Sequence, residues 1–282
     1  MTGESKRYLI IGGGKMGEAI LAGWIAASTG SAAAIGAADI EVVNPGSERR
    51  AHLNRTYGVA CVADVSDVAQ KPDVVVLAVK PQVMGGVLES IASLEAFAGG
   101  GQGPLFVSIA AGLTTASLER LLPQDAYVVR VMPNMPLAIG AGASGVCGGA
   151  NASIAHVELV ADLFGCLGKA VVVAESDMDA VCALSGSGPA YVAALIESMR
   201  DAAAAQGLDA DLAEQLALQT VLGTARLIDE TGQSPAATRE SICSPGGTTL
   251  AALDAMAAAG FDEAIGAGVD AAVRRSKELA RC

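Results

Sequence analysis

The sequence predicts an α/β fold, a doubly wound and mostly parallel sheet, followed by an all-helical domain. Three observations carry that expectation. Strands and helices alternate through the first 174 residues. After Val173 the strand signal stops and only helical patterns follow. Between the first strand and the first helix stands Gly12-Gly13-Gly14-Lys15-Met16-Gly17, a glycine-rich turn at the place where such a sheet receives phosphates.

The elements follow in order. Tyr8 to Ile11 is a short apolar strand, Gly12 to Gly17 a turn, and Glu18 to Ala27 a helix. Ile40 to Asn44 is a second strand, Arg49 to Tyr57 a helix, and Val59 to Val62 a short strand. Val74 to Val79 is a continuous apolar run, the mark of a strand buried on both faces. Leu105 to Ile109 and Tyr127 to Met132 repeat it, separated by a helix over Thr115 to Leu122, and Val171 to Ala174 closes the sheet. The helical part begins with Asp177 to Leu184. A small-residue break follows, Ser185-Gly186-Ser187-Gly188-Pro189-Ala190-Tyr191, then a long helix to Gln206. Asp211 to Thr231, Pro235 to Ser241, a helix entered near Thr248 and Phe261 to Leu279 complete the set. The domains are 1–174 and 175–282.

Gly12 to Gly17 satisfies G-x-G-x-x-G in the strand–turn–helix context that gives the pattern its meaning, so the first domain is Rossmann-type. Gly12 permits the tight turn, Gly14 the approach of a pyrophosphate, and Gly17 close helix–strand packing. Ile11, Gly12, Gly14, Lys15, Met16 and Gly17 are therefore cofactor-binding candidates. An NAD site usually ends its second strand with Asp or Glu on the ribose hydroxyl. Here the strand ends at Asn44, and Arg49 and Arg50 lie just beyond. That suits the 2′-phosphate of NADP, with Asn44 and Arg49 as contacts; solvated helix arginines are the plainer alternative. Ligands gather outside the carboxyl ends of the strands. Ala78, Val79, Lys80 and Pro81 leave one such end and Ala110 and Ala111 another. Lys80 is either a functional cation there or the first solvated loop residue.

Composition bounds the partners. A net charge of −12 and a pI near 4.6 argue against nucleic acid and anionic membrane. An anionic substrate therefore needs a local positive site. Two long uncharged stretches, Ala19 to Ala38 and Val131 to Ala155, are interrupted by polar residues, prolines and glycines, and neither is a convincing membrane span. Six scattered cysteines without C-x-x-C spacing favour reduced thiols in a cytoplasmic protein, with no metal site.

The helical part offers one unusual helix start. Ser244-Pro245-Gly246-Gly247-Thr248-Thr249 precedes the apolar run Leu250 to Ala259, which stops at Gly260. Ser244 suits the cap and Pro245 the first helical position. Two adjacent glycines at a helix start cost up to about 1 kcal/mol each relative to alanine. They make sense where a ligand approaches the backbone, and a helix N-terminus suits a carboxylate or phosphate. An ordinary capped helix remains the alternative reading of this segment taken alone. Few other reactive groups exist. His52 and His156 have no Cys or acid at ligand spacing, and Cys243 has no histidine placed to activate it. One dinucleotide site and almost no acid–base residues fit hydride transfer. The apolar helices Val192 to Met199 and Leu212 to Leu227 are expected to bury surface in a homodimer.

The Asn-tipped second strand, Ala78-Val79-Lys80-Pro81-Gln82, Val107 to Gly112, Arg130-Val131-Met132-Pro133-Asn134, Leu184 to Tyr191 and Ser244 to Thr249 occur in that order. Together they closely resemble the Δ1-pyrroline-5-carboxylate reductases, over about residues 8 to 280. The resemblance implies reduction of the cyclic imine of pyrroline-5-carboxylate to L-proline, the last step of proline biosynthesis, with NADPH preferred over NADH. It implies a Rossmann domain and a helical dimerisation domain, with an active site where the helical domain of one chain meets the Rossmann domain of its partner, and dimers that often assemble into rings. Ser244, Gly247, Thr248, Thr249 and Leu250 then become substrate contacts. Thr249 is the catalytic residue, an orienter or proton relay at the ring nitrogen, and Glu175 also lines the pocket. Ser241 stands where many relatives carry Asn.

Two other classes stay in view. A β-hydroxyacid dehydrogenase needs a lysine early in its helical domain, and none occurs between Glu175 and Arg274. A non-enzymatic NADP-sensing or scaffold protein would keep the glycine turn but need not keep Thr249. The small-residue loop Ser28 to Ala38 has no functional reading, and Gly99 to Gly103 reads as a surface turn.

Overall fold

A computed structural model describes residues 6–27, 35–98 and 103–279. Most of the Ser28 to Ala38 loop and of the Gly99 to Gly103 turn therefore lies outside the described residues. The chain divides into two compact units. The first runs to Ser187 and takes back the chain from Ala272 onward; the second is Gly188–Ala271.

The first unit is built on strands β1 (Tyr8–Ile11), β2 (Ile40–Val43), β3 (Ala60–Val62), β4 (Val74–Leu77), β5 (Leu105–Ser108), β6 (Tyr127–Met132), β7 (Gly142–Gly148) and β8 (Gly168–Val172). Their order is β3-β2-β1-β4-β5-β6-β7-β8. All neighbours pair in parallel except β6 with β7. The order turns between β1 and β4, which creates the crevice where ligands of such sheets bind. Helices α1 (Lys15–Ala27), α2 (Ser47–Tyr57), α3 (Pro81–Ala92), α4 (Thr115–Glu119), α5 (Ile154–Gly165) and α6 (Met178–Val181) connect the strands or follow them.

Alternation within β1 sorts the core onto two faces. Tyr8 and Ile10 join one cluster with Ile20, Leu21 and Trp24 of α1 and Phe164 of α5. Leu9 and Ile11 join the other, with Met84, Leu88 and Ile91 of α3 and Leu118 of α4. The one tryptophan, fully buried, donates its indole N–H to the Leu163 carbonyl at 2.7 Å and so ties α1 to α5. Each fully buried Val or Leu of these strands contributes about 1.5–3 kcal/mol.

Several local expectations shift. α1 begins at Lys15 rather than Glu18, because Gly17 lies in its first turn, pressed against the Gly12 carbonyl. β4 ends at Leu77, and Ala78 and Val79 already belong to the loop. Helix α3 and strand β7 have no counterpart in the sequence reading. α3 starts at a proline and carries Gly85 and Gly86, and β7 reads GASGVCG, so both lack the residues that announce their type. Beyond Val181 the expected break takes the form of a π-helical turn, Cys182–Gly186, ahead of the next helix.

The second unit holds α7 (Gly188–Ala205), α8 (Ala210–Thr231), α9 (Pro235–Ile242), α10 (Thr248–Ala258) and most of α11 (Phe261–Leu279). α7 packs on α8, yet α7 and α10 have no buried residue, and α8 buries only Ala213 and Ala217. Val192, Leu195, Leu216, Leu222, Leu250 and Ile265 are all exposed. Among the described residues one continuous helical stretch, Glu175–Ala205, is long and apolar enough to cross a membrane, with 6 % of its most apolar window buried. Apolar helices left this bare require a cover.

Candidate functional site

Each unit carries one candidate binding feature. The first is the glycine turn at the β1–β4 crevice. Gly12 holds φ +109°, and a Cβ there would stand 2.5 Å from the Ala78 carbonyl oxygen. The turn is stitched on both sides: Gly12 N–H donates to the Val43 carbonyl at 2.9 Å and Ala78 N–H to the Ile11 carbonyl at 2.8 Å. A Cβ on Gly17 would stand 2.0 Å from the Gly12 carbonyl oxygen, so α1 approaches the strand as closely as backbone permits. Gly14 differs, since nothing lies within 4 Å of a Cβ built on it. Its neighbourhood is open on the side from which a ligand would come.

The tip of β2 carries no acid. Asn44 instead accepts the Gly13 N–H through Oδ1 at 3.2 Å. Neither arginine beyond it is free. Arg50 donates to the carbonyls of Asn44 and Pro45 at 2.8 and 2.7 Å. Arg49 donates through Nε to the Gly13 carbonyl at 2.5 Å and through Nη2 to Glu18 at 2.5 Å. Glu18 also meets His52 at 2.8 Å and the Tyr57 hydroxyl at 3.2 Å. Burial works to raise the Glu18 carboxyl, but the hydrogen bonds from His52, Arg49 and Tyr57 outweigh it and hold it below its ordinary value. The turn and its flanks thus offer what an extended pyrophosphate needs: an open approach at Gly14 and the N-terminus of α1 behind it. Lys80 is exposed at the N-cap of α3, with Pro81 at the first helical position, and Ala110 is buried beside the half-buried Ala111.

An ionic node lies at the same edge of the sheet. Arg130 pairs with Ser108 of β5 on one side and Cys147 of β7 on the other. Its side chain is 3 % exposed, and its Nη1 donates to Glu175 Oε1. Glu175 Oε2 accepts the Thr115 N–H at 3.2 Å and the Cys147 thiol at 3.4 Å. Both oxygens of Glu175, which the resemblance places at the substrate, are therefore engaged by the protein. Burial first, then the Glu175 charge, pushes the Cys147 thiol up to about 12, so it remains a neutral donor. Nothing in the sequence reading joined Arg130, Thr115 and Cys147, because strand register creates the cluster. Replacing Glu175 with Gln removes the charge opposite Arg130 and one acceptor. We expect a loss of about 1 kcal/mol, read from the urea midpoint, because a third of the Glu175 side chain faces solvent. Two resemblance motifs also meet here: Asn134 Nδ2 donates to the Ser185 carbonyl at 3.0 Å, and Asn134 Oδ1 accepts the Ala143 N–H at 2.9 Å.

The second candidate feature is the start of α10. The helix begins at Thr248 with Gly247 as its cap, three residues after the expected cap at Ser244. Pro245 and Gly246 form a turn instead. Gly246 holds φ +70°, and the Gly247 N–H donates to the Ser244 carbonyl at 3.0 Å. Gly247 is thereby removed as a free donor. A Cβ on it would stand 2.4 Å from Ser244 Oγ. The first intrahelical bond is Ala251 N–H to the Gly247 carbonyl at 3.4 Å, so the N–H groups of Thr248, Thr249 and Leu250 precede the helix's own bonding. Thr249 is half-buried and Thr248 exposed. Ser241 turns its hydroxyl back onto the Thr238 carbonyl at 2.7 Å. Such a start favours a carboxylate, and a hydroxyl one residue inside it can donate to an adjacent nitrogen.

Comparison with known proteins gives consistent relatives for both units. The family model for pyrroline-5-carboxylate reductase dimerisation matches residues 175–279, and one described as NADP oxidoreductase coenzyme F420-dependent matches residues 7–112. A pyrroline-5-carboxylate reductase of Synechocystis is 42 % identical over 96 % of this chain and 97 % of its own, and that of Escherichia coli is 36 % identical over 98 % and 99 %. Among solved structures, a pyrroline-5-carboxylate reductase of Coxiella burnetii superposes with TM-score 0.89 at 33 % identity, covering 98 % of this chain and 99 % of its own. A Plasmodium falciparum pyrroline carboxylate reductase with NADP bound gives 0.84 at 29 %, with the same coverage.

Proposed function

The chain belongs to the pyrroline-5-carboxylate reductase family and reduces Δ1-pyrroline-5-carboxylate to L-proline with a nicotinamide cofactor, and from that premise we propose which residues do the work. The assignment of sites is carried by the open glycine turn in one unit and, in the other, by a threonine-bearing helix start without a side-chain cap.

The cofactor fits the glycine turn because Gly14 faces open space while Gly12 and Gly13 give their N–H groups to the protein. Ile11, Gly12, Gly14, Lys15, Met16 and Gly17 hold the pyrophosphate end, and Ala78, Val79, Lys80, Pro81, Ala110 and Ala111 the remainder. NADPH is preferred over NADH. The missing acid at Asn44 supports this, as does the start of α2, where the N–H groups of Ser47, Glu48 and Arg49 precede the first intrahelical bond, Arg50 N–H to the Gly46 carbonyl. When bound, the reduced nicotinamide supplies hydride to the imine carbon.

The chain's own residues orient the substrate. Its carboxylate sits on the N–H groups of Thr248, Thr249 and Leu250, a local positive site in a chain of net charge −12. Ser244 and Gly247 shape the approach. Thr249 Oγ orients the ring nitrogen by accepting the N–H of the protonated imine, which keeps that proton as hydride reaches the carbon and the neutral amine forms. A cyclic imine is basic enough to arrive partly protonated, so no strong general acid is required. Glu175 anchors the first turn of α4 through the Thr115 N–H, and thereby the loop after β5.

A second copy of the chain covers the bare faces of α7, α8 and α10, in keeping with the dimerisation match. The dimers assemble further into a ring. The exposed stretch at Glu175–Ala205 is thus a protein interface rather than a membrane span, and the enzyme works in the cytoplasm. We expect the thermal midpoint to rise with protein concentration, as dissociation accompanies unfolding. A midpoint independent of concentration over a hundredfold range contradicts the dimer.

The direct test supplies purified protein with pyrroline-5-carboxylate and NADPH and follows nicotinamide oxidation optically. Absence of oxidation by a folded dimer defeats the functional reading.

A further inference from the structure

Arg49 touches the glycine turn in a way that the cofactor reading leaves unexplained. Its Nε reaches the Gly13 carbonyl at 2.5 Å, and its Nη2 lies 3.4 Å from the Gly14 carbonyl. A trans peptide is planar, with its C=O and N–H pointing in opposite directions. The Gly13 carbonyl shares its peptide with the Gly14 N–H, and the Gly14 carbonyl shares its peptide with the Lys15 N–H. The guanidinium holds the Gly13 carbonyl on the α2 side and reinforces the Glu18 N–H, which donates to the Gly14 carbonyl at 2.9 Å, so both peptide N–H groups turn to the other side.

We propose that Arg49 is a positioning residue for the pyrophosphate site: its fork fixes the two glycine peptides so that the Gly14 and Lys15 N–H groups face the phosphates. The inference rests on the cofactor assignment above and deepens it. The planar fork of arginine suits two neighbouring carbonyls, which a single ammonium cannot bridge equally. Glu18, in the first turn of α1, takes the shorter hydrogen bond of that same Nη2, at 2.5 Å, and fixes the angle of the guanidinium. His52 and Tyr57 reach Glu18 from α2 and hold its carboxylate in place. Asn44 restrains the preceding peptide through the Gly13 N–H. With Nε and Nη2 committed in this way, the guanidinium acts on the turn that both dinucleotides share, so its loss affects NADPH and NADH alike.

The test titrates the folded wild-type protein, Arg49→Ala and Arg49→Lys with NADPH, NADH and adenosine 2′-monophosphate, which has the 2′-phosphate but no pyrophosphate. Arg49→Ala is expected to raise Kd about 10-fold for both dinucleotides, the equivalent of about 1.4 kcal/mol, and to leave the nucleotide unchanged. The loss is expected in KM for the cofactor rather than in kcat, which a general loss of fold would not reproduce. Arg49→Lys is expected to stay weaker than wild type for both dinucleotides. Loss confined to NADPH and adenosine 2′-monophosphate overturns the proposal, since the guanidinium would then be a 2′-phosphate ligand. Full recovery in Arg49→Lys also overturns it, because charge alone would then suffice. Wild-type protein that binds neither dinucleotide points to failure of the cofactor assignment itself.

Discussion

Replacing Gly14 with valine is expected to leave the protein folded and to weaken nicotinamide dinucleotide binding about 100-fold, or about 2.7 kcal/mol. The two halves of that expectation have separate causes. A Cβ at Gly14 meets no atom within 4 Å, and the residue's φ is not in the left-handed region, so the fold itself has room. The cost to stability is confined to about 1 kcal/mol from a poor residue ahead of the first turn of α1. The empty space is where the phosphates approach, and a branched side chain there excludes them. Gly17→Ala is the contrasting variant. Its Cβ would stand 2.0 Å from the Gly12 carbonyl, backbone that cannot step aside, so α1 must shift and stability falls by 1–3 kcal/mol or more, by the usual scale of overpacking. Fluorescence titration with NADPH and a urea melt on both variants separate the cases. Wild-type affinity in Gly14→Val would mean that the cofactor does not cross the glycine turn.

Thr249→Ala is expected to lower kcat/KM for pyrroline-5-carboxylate by about 10–100-fold, in line with one lost hydrogen bond of about 1.5–3 kcal/mol to a charged group. The loss should fall mainly on kcat. The helix N–H groups that hold the carboxylate belong to the backbone and survive the substitution, whereas the hydroxyl acts at the ring nitrogen, where charge changes as the carbon is reduced. Thr249 Oγ has no hydrogen-bond partner within the protein among the described residues, so removing it leaves no stranded group and the fold should be unaffected. Thr249→Ser keeps the hydroxyl and should recover most of the rate. Wild-type turnover in Thr249→Ala removes the residue from the mechanism.

Much of this was legible in the residues. β1, β6 and α11 carry their expected bounds, since unbroken apolar runs and helix-ending signals mark them. α8 is closed by Gly232 at φ +66°, as a left-handed cap requires. β7 was hidden because alternate small residues such as Gly142, Ser144 and Gly148 carry little strand signal. They pair there because Leu137, Val157 and Val181 press where glycine side chains are absent, at Gly142, Gly148 and Gly145. The sequence marks a helix start at Ser244, three residues before the cap at Gly247. A proline and a glycine compose a capped helix entry or a tight turn equally well, and the Gly247 N–H to Ser244 carbonyl bond makes it a turn.

The sequence by itself determined the mostly parallel α/β class, the glycine turn, the helical second part and the family to which the chain belongs, because these rest on local period and on ordered short motifs. Tertiary structure decided the partners of charged side chains. Arg49 and Glu18 lie 31 residues apart, and Arg130 and Glu175 lie 45 apart. Whether a guanidinium at the tip of β2 points to solvent, to a ligand or back onto Gly13 depends on where α1 and α2 dock, and that docking is set by the buried apolar faces of Ile20, Leu21 and Leu53. Charge follows packing here, because the burial of those side chains outweighs the small preference of one half-buried arginine among several acceptors.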